Sequence, residues 1–136
     1  MAKHITHEAA LEAIKAGVSK AKELKQRSSL SIVDAGGHLV AFVRVDDAAF
    51  GTIEIAHNKA YTAAALRAPS GHWMDTVQPG ASLFGMERAA SRPLVVFGGG
   101  LPVYDGDAVI GGVGVSGGPI EADEAIAHAI ADVLSR

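Results

Sequence analysis

The chain has 136 residues, 49% of them apolar, enough for a single domain with a buried core. A formal charge of −3 with scattered Lys and Arg excludes the basic footprint of a nucleic-acid binder, and the lack of cysteine excludes a disulfide framework, a thiolate metal site and a cysteine nucleophile. No segment has the unbroken apolar run of a signal peptide or a membrane span, so one soluble, cytoplasmic domain over residues 1–136 is expected, without a membrane partner.

Thr6 is a fitting N-cap, and Ala10, Leu11, Ile14, Val18, Ala21 and Leu24 recur at helical spacing, which predicts a first helix from about Thr6 to Gln26. LSIVD (30–34) and HLVAFVRV (38–45) are β-rich runs around Ala35-Gly36-Gly37, a hairpin. The second run is apolar on both sides, which predicts a strand covered on both faces. Residues 51–67 are rich in helix formers and stop before Pro69, giving a second helix; Pro79-Gly80 is a break, and 82–90 reads as a short helix. LVVF (94–97), LPVY (101–104) and AVIGGVGV (108–115) read as three further strands, the last two joined by the tight turn at Asp105-Gly106. A final helix runs from about Ala122 to Leu134 on a stripe of Ile126, Ile130, Val133 and Leu134. The expected class is α+β, a mainly antiparallel five-stranded sheet flanked by helices.

The stretch GGVGVSGG (111–118) contains G-x-G-x-x-G at Gly112, Gly114 and Gly117. A dinucleotide fingerprint needs a helix and a second parallel strand after it, with an acid roughly 20 residues on. Only residues 118–136 follow, and Gly112 and Gly114 alternate with Val113 and Val115 inside a strand, so no nucleotide is expected. The bare strand face admits either a closely packed helix or a flat ligand. Ser116-Gly117-Gly118-Pro119 leads into the last helix, whose free N–H groups favour an anion, either a ligand carboxylate or an ordinary cap.

On a helical wheel Lys59 falls within the apolar arc of the second helix, with Thr62 one turn along, so both should point inward. A buried lysine needs a carboxylate or a lowered pKa. Asp46 and Asp47, after Arg44, are the candidate partners, leaving a structural ion pair and a ligand site of Arg44, Asp46, Lys59 and Thr62 as alternatives. No pair among the six histidines has metal-ligand spacing, so no structural zinc is expected; haem needs only one or two ligands, and His57 borders the same helix.

SIVDAGGHLVAFVRVDDA, IAHNKAYTAA, FGGGLPVYDGDAVIGGVGVSGG and the later DEAIA together resemble the GlcG/HbpS-like family, known also as the C-terminal domain of PduO-type proteins and as a haem-degrading domain. Lys59, Ala60 and Thr62 match its K-A-x-T-A signature, and Gly99, Gly100, Gly112, Gly114, Ser116 and Gly117 fall in its two glycine blocks. The hairpin usually ends R-M-D-G-A, whereas this chain has Arg44-Val45-Asp46-Asp47-Ala48. The resemblance implies a profilin-like sheet, homo-oligomers and, in some members, haem. The first functional class is therefore a small-molecule, haem-binding module, in which Thr62 or His57 would be nearest the iron. Two other classes stand beside it. One is an enzyme of small organic-acid catabolism, of tautomerase, hydratase or deaminase type, with Lys59 as acid/base and Arg44 holding a carboxylate. The other is a non-catalytic accessory oligomer in which Lys59 is only an ion pair.

Overall fold

The computed structural model describes residues 3–135. Helix α1 (His7–Glu23) starts where Thr6 caps it, its Oγ1 accepting from the Ala9 N–H at 3.1 Å, and ends at a left-handed Lys25, short of Gln26. A hairpin of β1 (Ser29–Asp34) and β2 (Leu39–Arg44) follows, then α2 (Gly51–Leu66), stopped by a left-handed Arg67 ahead of Pro69. A 3₁₀ helix (Ser70–Val77) leads to strands β3 (Gly100–Asp105) and β4 (Ala108–Ser116), and α3 (Ile120–Leu134) closes the chain. Of the helix expected over 82–90, only a 3₁₀ turn at Met86–Arg88 forms, after Gly85 at φ 91°.

The sheet is antiparallel, in the order β2-β1-β4-β3, with four strands rather than five. Residues 94–97 pair with no strand, because side chains and turns take their backbone groups. Leu94 N–H donates to the Glu87 carbonyl, Val95 N–H to Thr62 Oγ1 at 2.9 Å, and the Phe97 carbonyl accepts from Ser70 Oγ at 2.7 Å.

The two faces of the sheet differ in kind. Leu30, Ile32, Leu101, Val103, Val113 and Val115 point one way and form the main core with α1 and α3, whose Ile14, Ile126 and Ile130 meet them. The other face is built of small residues in register: Ser29 opposite Ser116, Ser31 opposite Gly114, Val33 opposite Gly112, and Gly100 opposite Gly114 across β3. Helix α2, presenting Ala56, Ala60, Ala63 and Ala64, all buried, lies on that face. Two alanine- and glycine-lined surfaces let backbones approach closely. Strand β2 stands at the sheet edge and is not covered on both faces as its apolarity suggests: Leu39 is 51% exposed and Phe42 only half-buried. Among the described residues no helix is long and apolar enough to cross a membrane.

Candidate functional site

The wheel places Lys59 inward, and it is the largest fully buried side chain, at 1% exposure. Its partner is not Asp46 or Asp47. Lys59 Nζ donates to Asp123 Oδ2 at 3.1 Å and to the Val115 carbonyl at 2.7 Å, and sits 5.1 Å from the centre of the Phe97 ring. Asp123 Oδ1 in turn accepts from the Gly118 N–H at 3.1 Å, so the anion expected at the entrance to the last helix is the helix's own carboxylate. Burial pulls the lysine pKa down and the Asp123 pKa up, and each charge opposes the shift of the other. With its protons directed at a carboxylate, a carbonyl and a ring face, Lys59 has no donor left for a substrate.

The glycines around it are steric necessities. A Cβ on Gly99, at φ 120°, would lie 2.6 Å from Lys59 Nζ, and one on Gly100 would lie 2.8 Å from Ser70 Oγ. On Gly112 and Gly114 it would collide with the α2 backbone at Ala60 and Ala56, and on Gly117 it would lie 2.7 Å from Ser28 Cα. Ser116 is buried opposite Ser29. The bare face therefore holds α2 itself, not a flat ligand.

Arg44 and Asp46 do not join Lys59. Arg44 donates to the Ala48 carbonyl at 3.1 Å and, like Asp46, is exposed. Asp47 takes φ 67°, a left-handed conformation that glycine adopts without strain and aspartate tolerates, which accounts for the glycine of the usual hairpin ending. Thr62 is fully buried, and its hydroxyl is engaged twice, donating to the Asn58 carbonyl at 2.7 Å and accepting from Val95. Both partners are backbone groups of the fold itself.

His57 is placed differently. Between the exposed side of α2 and the edge strand β2 runs an apolar groove of about 560 Å³, lined by Leu39, Phe42, Phe50, Ile53, Glu54 and His57. Phe50 is 82% exposed and Ile53 39%, unusual for such side chains on one patch. The imidazole Nε2 is covered yet has no hydrogen-bond partner. Burial first, and the nearby Arg92 charge second, hold the His57 pKa below its usual 6.5. Among the described residues no cluster of three or more acidic or histidine side chains is placed for a metal ion.

Sequence reasoning missed two residues. Asp123 carried a legible signal, since it lies three and four residues before Ile126 and Ala127 on the buried stripe of α3. Arg92, beside His57, carried none, because it sits in a segment without periodicity.

Comparison with known proteins covers nearly the whole chain. The family model described as haem degrading protein HbpS-like matches residues 5–132. A 15.0 kDa protein from the dhaT-dhaS intergenic region of Citrobacter freundii is 44% identical over 131 residues, 96% of this chain and 92% of that one. The corrinoid adenosyltransferase PduO of Salmonella typhimurium is 40% identical over 114 residues, 84% of this chain but only 34% of its own length. Among solved structures, a PduOC:haem complex superposes with a TM-score of 0.91 at 34% identity, covering 96% of this chain and 95% of that one.

Proposed function

The chain belongs to the HbpS-like family, and from that premise we propose that it binds haem in the groove between α2 and β2, with His57 as the iron ligand. The observation that carries the reading is a covered, unpartnered imidazole nitrogen on a histidine that lines a mainly apolar groove. A buried polar atom without a partner costs about 1–3 kcal/mol, so an incoming iron takes nothing away from the fold. Leu39, Phe42, Phe50 and Ile53 supply the apolar contact a macrocycle needs, and a groove of about 560 Å³ is of the size used for cofactors. Because Nε2 is covered, the ring must turn to present it. The depressed pKa favours neutral imidazole, the form that ligates metal. A similar structure, PduOC, is known with haem. Bound haem would supply the redox and oxygen chemistry of its iron, and the chain the seat and the ligand.

The enzyme reading is weaker here, because Lys59 is sealed under Phe97 and saturated. Titration with haemin should give a shifted Soret band in the wild type. His57→Ala should weaken binding at least tenfold and move the band, Ile53→Arg should weaken it by filling the groove with charge, and Asp46→Asn, outside the groove, should change nothing. A Soret spectrum and affinity indifferent to both groove variants would sink the proposal.

The pH dependence follows from the same residue. Protonation of His57 competes with iron, and because its pKa lies below 6.5, competition starts below the usual histidine range. Haem affinity should stay level from pH 8 down through pH 6.5 and decline below it, as read by Soret titration; a decline already complete at neutral pH would rule out His57 as ligand.

A further inference from the structure

We infer that the ligand of this groove carries a carboxylate on one edge and that Arg92 receives it. The inference rests on the groove reading above and adds the chemistry of the ligand's rim. Arg92 emerges after Ser91 from the segment that leads to β3 and is held in place by neutral groups only. Its Nη1 donates to Asn58 Oδ1 at 2.9 Å, and its guanidinium lies 4.9 Å from the centre of the Tyr61 ring. Asn58 is itself buried, so one side of the guanidinium is fixed by a side chain with little freedom to move. Among the described residues no carboxylate lies within 4 Å of it. A partly buried guanidinium with five N–H donors, one of them given to Asn58, is set up for a planar two-oxygen acceptor.

The position of Arg92 decides where that acceptor comes from. Arg92 lines a polar cleft with Glu54, Asn58, Ser91 and Pro93, and Glu54 is also a wall of the apolar groove, so cleft and groove are contiguous along α2. The charge of Arg92 is felt at His57, which places the two within electrostatic range. A ligand lying on Phe42, Phe50 and Ile53 with its middle at His57 thus has an apolar seat and a cationic end. That arrangement selects a flat amphipathic acid over a wholly apolar ring, and Glu54, exposed at the boundary, disfavours a second acidic group on its own side.

The test compares haemin with its dimethyl ester, in which both propionates are masked, each added from dimethyl sulfoxide and followed by the Soret band. Wild type should bind haemin at least tenfold more tightly than the ester. Arg92→Gln should bring the two affinities within about twofold while leaving the band position, set by His57, unchanged, and Arg92→Lys should retain part of the preference. Glu54→Gln, on an exposed residue with no fold role, should strengthen haemin binding and not that of the ester. Equal affinities in the wild type, or a preference that survives Arg92→Gln and ignores Glu54→Gln, overturns the carboxylate rim and leaves haem binding standing. Absence of any Soret change with either porphyrin overturns both readings.

Discussion

Lys59→Met should lose about 3–5 kcal/mol of stability at neutral pH, the usual cost of breaking a buried ion pair from one side. The variant keeps most of the stem volume but leaves the Asp123 carboxylate, itself 2% exposed, with only the backbone N–H groups of Gly117 and Gly118 for company. Against a domain stability of about 5–15 kcal/mol this is a large fraction, so a lower unfolding midpoint in urea should be plain. The pH dependence has a definite sign. Without the lysine, burial raises the Asp123 pKa above its unfolded value, so the variant is most stable below that unfolded value and loses stability as pH rises through the raised one. The double variant Lys59→Met, Asp123→Asn should recover most of the loss, because asparagine still accepts from Gly118 and no charge is left unpaired. Single losses that simply add in the double variant would show that the two side chains do not act as a pair. If haem binding survives in the double variant, Lys59 is structural; its loss there, in a folded protein, would return Lys59 to the ligand site.

The same pair shows what could be read from the chain and what could not. An inward Lys59 follows from 100° per residue on one helix, and its burial was legible because a wheel is a local property. Its partner was not, since Asp123 is 64 positions away and only the pairing of β1, β3 and β4 brings the first turn of α3, on the other face of the sheet, within reach of Lys59. A carboxylate on the apolar stripe of one helix and a lysine on that of another are complementary anomalies, and looking for both at once would have joined them. The strand expected at 94–97 failed for a related reason: an apolar run gives burial, not pairing, and here Thr62 and Glu87 accept from the N–H groups a neighbouring strand would need. The groove was hidden because it lies between a helix side and an edge strand, where exposed Phe50 and Leu39 look like ordinary members of an apolar pattern.

Division of labour between the two sides of α2 ties fold to ligand. Its inner side carries alanines and Lys59 and fixes the helix on the sheet; its outer side carries Ile53, Glu54 and His57 and forms the groove wall. The width of that groove is therefore set by how deeply α2 sits on β4. That depth depends on glycine.

Gly114→Ala should accordingly destabilise the protein by at least about 1–3 kcal/mol, the range for forcing an extra methyl group into a packed core. The added Cβ would collide with the Ala56 carbonyl, lie 2.5 Å from the Ala60 nitrogen and 3.0 Å from Lys59 Cβ. Two of these are helix backbone atoms, which cannot rotate away as a side-chain tip would, so relief requires α2 to lift from the sheet. Lifting it draws Lys59 away from Asp123 and Val115 and widens the groove at His57, so the variant should lose stability and haem affinity together. Gly51→Ala is the matched control. No atom lies within 4 Å of a Cβ there, and alanine is the better helix former, so stability should hold or rise slightly. Urea unfolding of the two variants side by side is the measurement. A Gly114→Ala protein as stable as Gly51→Ala would mean that α2 rides loosely on the sheet, and the groove beside it could not then be a preformed seat for a rigid ligand.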